Sequence, residues 1–553
     1  MTDNISDAPS DAPVARESTN AAVPSAKPWY TRIGPGLITA CVVIGPGSIM
    51  TSSKIGASEG YSMLWIVAVS VAFMMVYMTL GAKLGAVAAE APCDLIRRKA
   101  GKWLAIAVGI GVFFISAAFQ SGNNIGVAAA FEAFIDSKEI VTAVIVGFNL
   151  LAISFLFVFK DIYRSLEKLM MCFVALMLVS FAVNLLMLQP SVVALAKGFV
   201  PSLGYEGKND GWIVHNGTEH FGPFTLDQLK ELGSRGEINE KTSLIAVGDR
   251  SQLLAAQVPG LFGEPLGSAD SDFFSKEMLP LLGLIGTTFV ITAAFYQAYL
   301  VRQKGWKVED LKSGLVDARV GSVIMFLITM MLMSTAAAAF FRTNYPEPAA
   351  AAELGSSISL EGRVALTNPV SVASALEGTF GNAAKIIFCM GLFSAAYSSF
   401  LVNSMIGGFM AADGLGWGSR PTDRGPKIMT TAALLTGMSV GVAVLVYNFD
   451  RTPTIIAAQA ATVVASPLVA GVLLWLTSSR DVMGDKVNGP GTIAFAGLGL
   501  LMLVAMAGKT AFVDLPQKIK AYRNPQPAVS SAARSSQSLA GNDVVETRMV
   551  TNL

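Results

Sequence analysis

Long apolar stretches alternate with short polar ones along most of this chain. A helix that crosses a bilayer needs about 20 mostly apolar residues. Eleven stretches meet that requirement, near 33–57, 62–88, 103–131, 139–159, 166–188, 279–301, 317–341, 384–411, 426–448, 453–477 and 489–512. The first is unusual. ITACVVIGPGSIMTSSKIGASEGYSMLW, residues 38–65, is apolar enough to span, yet Gly45-Pro46-Gly47-Ser48 stands in its middle. Proline removes a backbone donor and clashes with the preceding turn, and glycine loosens what remains. Backbone groups freed at that depth must line a cavity or be satisfied within the protein.

The alternation lapses in three places. Residues 1–31, rich in Ala, Ser, Asp and Pro, carry no apolar run and read as a disordered tail, not as a cleavable signal; 513–553 read as a second tail. Between the first five spans (32–204) and the last six (263–512), residues 205–262 are polar and mixed. Their pattern predicts two short strand segments, a turn at Gly222-Pro223, and an amphipathic helix with Leu226, Leu229 and Leu232 on one face. Both histidines, His215 and His220, fall here. A two-histidine metal site is the sharper reading, and surface histidines of a hairpin are the plainer one.

Composition agrees with the spans. Hydrophobic residues make up 53% of the 553 and charged residues only 14%, against about 25% charged in soluble domains. Lys plus Arg is 40 and Asp plus Glu 39, with no concentrated basic block, so nucleic acid is not an expected partner. Cys41, Cys93, Cys172 and Cys389 lie in or beside apolar spans and read as small packing residues. No nucleophile–base pair and no cofactor motif is present, so neither an enzyme nor a bound cofactor is expected. Short basic connections alternate by parity, with Arg97, Arg98, Lys99 and Lys102 between spans two and three and Arg302, Lys304 and Lys307 between six and seven. The positive-inside rule then places the N-terminus in the cytoplasm, and residues 205–262 and the C-terminus outside the membrane. No Asp, Glu or His falls in the middle of a span. Glu59, Glu132, Lys83 and Glu90 lie near span ends and can snorkel, and Lys54 reads as solvated near the outer mouth.

Four stretches carry a family likeness. GPGLITACVVIGPGSIMTSSKIGASEGYSMLW resembles the first span of the natural-resistance-associated macrophage protein (Nramp) family of divalent-metal carriers, whose break reads Asp-Pro-Gly-Asn. YRSLEKLMMCFVALMLVSFAV is similar to the start of its span five. LGLIGTTFVITAAFYQAYLV is similar to span six, which usually contains Met-Pro-His-Asn, and AAQAATVVASPLVAGVLLWLTSSRDVMG to span ten. The likeness covers residues 32–204 and 263–512. It implies an α-helical, eleven-span, LeuT-like membrane fold of inverted repeats, five plus five plus one, with discontinuous spans one and six. The insert resembles a bacterial GYF-like domain through Trp212, Gly222, Pro223, Phe224, Leu229, Pro259 and Leu261. The usual second tryptophan before the close is replaced within Arg250-Ser251-Gln252-Leu253.

The family's ligands do not carry over. Its aspartate corresponds to Gly45 and its asparagine to Ser48; on span six its methionine corresponds to Val290, its proline to Ile291 and its histidine to Thr292. The second histidine becomes Gln297, the acidic positions on span three become Gln120 and Asn123, and the span-ten glutamine is kept as Gln459. The implied substrate-binding set is Gly45, Ser48, Thr287, Val290, Thr292 and Gln459. The helix-breaking set is Gly45, Pro46, Gly47 and Gly286, with the second break near Gly283 and Gly286. The plainer reading of these glycines is close helix packing.

Losing the thioether at Val290 removes the ligand that selects soft metals. A missing carboxylate forfeits about 8 kcal/mol for a dication at an effective dielectric of 20 and 4 Å, or about six decades of affinity. Whether a metal binds stays open. The expected function is a secondary carrier in the lipid bilayer that moves a small ion weakly, or a hard, Mg-like cation. One alternative is a carrier of a small polar or anionic organic solute, since a free helix N-terminus favours an anion. Ser398 and Ser399, beside span-one carbonyls, would add a sodium site. The other is a non-transporting receptor or scaffold whose GYF-like domain takes a proline-containing peptide, with Asn-Pro-Gln-Pro at 524–527 as a candidate ligand.

Overall fold

The computed structural model describes residues 34–158, 162–201, 212–216, 219–246, 252–255, 258, 261–262, 284–341, 381–447, 449 and 451–514. The first apolar segment is two helices, α1 (Pro35–Val43) and α2 (Pro46–Glu59), bent by 57°. Pro46 takes the first position of α2, where its missing N–H costs nothing. There follow α3 (Leu64–Val87), α4 (Pro92–Ala100), α5 (Lys102–Glu132), α6 (Lys138–Val158), α7 (Ile162–Leu188) and the short α8 (Val192–Lys197). The amphipathic α4 carries Asp94 in its first turn and Arg97, Arg98 and Lys99 in its last, complementing the helix dipole.

The insert contains strands β1 (Trp212–Asn216), β2 (Glu219–Phe224), β3 (Ser243–Ala246) and β4 (Gln252–Leu254), and helix α9 (Leu226–Ser234). The sheet is antiparallel in the order β2-β1-β3-β4. Thr225 caps α9 through Gln228 N–H (3.3 Å), and Gln228 Oε1 accepts from Thr225 N–H (2.8 Å). Leu229 and Leu232 join Trp212, Val214, Phe224 and Leu244 in a core separate from that of the long helices. Gly222-Pro223 lies inside β2 and not at a turn. The ladder slips between Trp212↔Phe224 and Val214↔Phe221, and a bulge absorbs the residue that cannot donate. Pro259 and residues 524–527 lie outside the described residues, as do the side chains of His215 and His220.

The second half holds a helical turn at 284–288, then α10 (Ile291–Gln303), α11 (Leu311–Ala336), α12 (Asn382–Leu415), α13 (Arg424–Val446), α14 (Arg451–Ser478) and α15 (Pro490–Lys509). Among the described residues nine helices are long and apolar enough to cross a membrane, ten with the bent pair. The chain is therefore an integral membrane protein. α14 stands where the tenth segment is expected, with Ala465–Ser478 as its described apolar part. The apolar window of Leu284–Gln303 is 94% buried and that of Pro490–Phe512 only 22%. The sixth segment is thus central and the last faces lipid.

Small residues set the crossings. α5 and α12 run antiparallel, with Gly109 against Met410 and Gly414, and Gly407 against Ser116. The first segment runs parallel to α11, with Gly36 touching the backbone of Asp317 and Gly321, and Gly56 that of Met333. Any Cβ at Gly126 would meet the ring of Pro46, so α5 approaches the break only because position 126 is bare.

Candidate functional site

Helix α1 ends where Ile44 (φ −90°, ψ 81°) and Gly45 (φ −117°, ψ 178°) leave helical geometry, and α2 begins at Pro46. A hydroxyl repairs the gap. Ser48 Oγ accepts from Gly45 N–H (3.0 Å), and its own proton reaches Val43 O (2.8 Å) or Gly45 O (2.9 Å). Gly47, second in α2, has its carbonyl taken by Thr51 Oγ1 (2.7 Å). From α12, Ser399 Oγ donates to Val42 O (3.1 Å) and accepts from Asn403 Nδ2 (2.8 Å). Ser398 turns instead to Ala395 O on its own helix (3.2 Å).

Asn123, on α5, faces the same place. A Cβ built on Gly45 would stand 2.9 Å from Ser399 Oγ and 3.2 Å from Asn123 Oδ1. Ser48, Ser399, Asn123, Gln120 and Asn403 are all buried and all neutral. Three segments therefore bring only uncharged oxygens to the first break. Two further amide atoms, Gln120 Nε2 and Asn403 Oδ1, have no partner.

The second break lies later than Gly286. Gly286 sits inside the turn 284–288, Phe289 N–H still bonds Ile285 O (2.7 Å), and the helix lapses at Phe289–Val290. Val290 (φ −81°, ψ 86°) precedes Ile291 and Thr292, a run of β-branched residues that resists helical packing where no proline forces a break. Thr287 Oγ1 donates to Leu284 O (3.1 Å) and lies 3.4 Å from Thr51 Oγ1, joining the two broken segments. Thr288 and Thr292 are buried with unpaired hydroxyls beside the uncapped start of α10, and Val290 is buried and apolar. Gln459 lies on α14 among residues whose side chains are outside the described set. Lys54 is exposed on α2, in accord with the solvated reading.

Two buried carboxylates were not singled out from the sequence. Asp317, at the start of α11's apolar run, accepts from Gly34 N–H (2.7 Å) and Gly36 N–H (2.6 Å) and so holds the beginning of α1. Gln297 lies against the same start, its amide nitrogen toward Pro35 O (3.0 Å) and its oxygen toward Gly36 N–H (3.2 Å). Asp413, near the end of α12, accepts from Tyr299 OH (2.5 Å) and Cys93 N–H (3.0 Å). A lone aspartate near a span end looks solvated in a sequence, and no signal there distinguishes these two. Among the described residues no group of three or more His, Cys, Asp or Glu side chains is placed to hold a metal.

A sequence model of the natural resistance-associated macrophage protein-like family matches residues 36–214 and 252–512. The divalent metal cation transporter MntH of Yersinia enterocolitica is 22% identical over 488 residues, 87% of this chain and 94% of that protein. MntH of Pediococcus pentosaceus is 28% identical over 184 residues, 33% of this chain and 41% of the relative. Among solved structures, a manganese transporter of Eremococcus coleocola superposes with a TM-score of 0.63 at 17% identity, covering 98% of this chain and 96% of that one.

Proposed function

The chain belongs to the natural resistance-associated macrophage protein-like family, and from that membership we propose that it is a secondary carrier of divalent cations with a site of neutral oxygens. The site favours hard, Mg²⁺-like ions and holds them weakly. The relatives named for divalent-metal transport support the cargo class. One observation carries the refinement: the oxygens nearest Gly45 belong to Ser399, Asn123 and Ser48, none charged. Neutral oxygens suit a hard cation that keeps part of its hydration, and with Val290 in the thioether's place nothing soft is offered. The same reading places the site in a bacterial inner membrane with the N-terminus cytoplasmic, and treats 205–262 as an outward GYF-like domain open to a proline-containing peptide.

Flux of Mg²⁺, Mn²⁺ and Ca²⁺ into proteoliposomes tests the proposal. Uptake of Mg²⁺ at millimolar concentration, with little preference for Mn²⁺, is expected; no movement of any of the three overturns it. A second reading rests on the uncapped start of α10, where the unpaired hydroxyls of Thr288 and Thr292 stand beside free backbone N–H groups. That arrangement favours a small anionic organic solute. A thermal-shift screen of organic and amino acids separates the two, because a cation carrier gives no response.

A further inference from the structure

We infer that the amide oxygen of Asn123 and the hydroxyl of Ser399 are ligands of the transported cation, and that Asn123 sets which charge the site accepts. The inference deepens the cation-carrier reading and rests on it. It places part of the site on the third and eighth apolar segments, away from the two broken ones.

The place where a side chain at position 45 would begin is bordered by oxygens of two other segments. A Cβ there would stand 2.9 Å from Ser399 Oγ and 3.2 Å from Asn123 Oδ1, so the neighbouring segments supply the oxygens that position 45 does not. Their orientation is one-sided. Asn123 turns its amide nitrogen to Gln120 Oε1 (3.4 Å) and presents its oxygen to the break. Ser399 gives its only proton to Val42 O, takes one from Asn403, and keeps one lone pair. Ser48 does the same between Gly45 N–H and Val43 O. Two oxygens, Ser399 Oγ and Asn123 Oδ1, thus face Gly45 with acceptor capacity left over, and the Ser48 oxygen sits on the backbone N–H of the same residue. Gln120 Nε2 is a free donor behind Asn123, and the oxygens that face Gly45 itself are acceptors, which suits a cation.

At a site without formal charge the cargo is bound by dipoles alone, so a single isosteric change governs affinity. Asn123→Asp adds one negative charge without adding volume. Its lost donor toward Gln120 is replaced when that amide turns, because Gln120 Nε2 is buried and unpaired. Ser399→Cys exchanges an oxygen for a soft thiolate in the same place.

The test is calorimetric titration of the purified full-length protein with Mg²⁺, Mn²⁺ and Cd²⁺. Asn123→Asp is expected to tighten Mg²⁺ and Mn²⁺ binding by about a hundredfold, a conservative share of what a carboxylate near a dication supplies. Ser399→Cys should raise the preference for Cd²⁺ over Mg²⁺ about tenfold or more. Asn123→Leu should weaken Mg²⁺ at least tenfold. If Asn123→Asp and Ser399→Cys melt like the wild type and leave all three affinities unchanged while the wild type binds, the assignment of these two residues is overturned and the carrier reading stands. If the wild type and both variants bind none of the three ions at millimolar concentration, the carrier reading falls with it.

Discussion

Helix α1 is held at its two ends by different chemistry. At its start the carboxylate of Asp317 takes two backbone N–H groups, and a Lys304–Glu167 ion pair (2.7 Å) lies beside Gly34. At its finish, seven residues beyond Gly36, the satisfying groups are the hydroxyls of Ser48 and Ser399. Charge-assisted hydrogen bonds are roughly twice as strong as neutral ones. The start is therefore fastened more firmly than the finish. The difference teaches where charge is used: to anchor the start of α1, and not at the break between α1 and α2.

The largest expected effect comes from breaking the firm end. Asp317→Ala leaves the Gly34 and Gly36 N–H groups without their charged acceptor, with a loss of about 3–5 kcal/mol. Asp317→Asn, which keeps one oxygen, should lose about half of that. Thermal unfolding in detergent reads the first quantity. A native thiol reads the release of α1 itself, because Cys41 is fully buried on α1, its Sγ 3.8 Å from Met170 O on α7. With Cys93, Cys172 and Cys389 replaced by Ser, Cys41 should react with a maleimide several times faster in Asp317→Ala. An unchanged midpoint together with an unreactive Cys41 would show that charge does not hold this end.

Next in size are changes at the neutral end. Ser48→Ala removes the group that serves both Gly45 N–H and Val43 O, and about 2 kcal/mol should be lost. Gly45→Ala meets no backbone obstacle, since φ is −117°, but its Cβ crowds Ser399 Oγ, at a cost of about 1–3 kcal/mol. Ser399→Ala in the same protein should return about 1 kcal/mol of that as a coupling in a double-mutant cycle. Strict additivity of the two would mean that α12 does not close on the break as described.

How far these features can be read from sequence follows from what produces them. The first break is written locally: Pro46 and its flanking glycines interrupt an apolar run, and the interruption falls at Ile44–Gly45. The second break has no proline. Gly286 drew the expectation one turn too early, and the lapse at Val290 follows from a β-branched run that also suits an unbroken buried helix. The approach of Asn123 and Ser399 to Gly45 is tertiary, set by a missing Cβ at Gly126 and the antiparallel packing of α5 on α12. Spacing along either helix says nothing about it. Gly222-Pro223 misled in the opposite way, since a dipeptide that usually turns the chain is here taken up by a bulge inside β2.

The smallest expected effect is also the one that most sharpens the comparison, because it asks whether the second break resembles the first. Thr288 and Thr292 carry buried hydroxyls with no partner, the reverse of Ser48, whose hydroxyl both donates and accepts. Replacing an unsatisfied hydroxyl by a methyl group of the same shape relieves a desolvation cost. Thr288→Val and Thr292→Val should therefore leave stability unchanged or raise it by up to about 1 kcal/mol. A loss of more than that would mean the hydroxyls are structural after all. If stability holds while Mg²⁺ uptake falls severalfold, the unpaired oxygens of the second break serve the cargo alongside the oxygens that face Gly45 at the first.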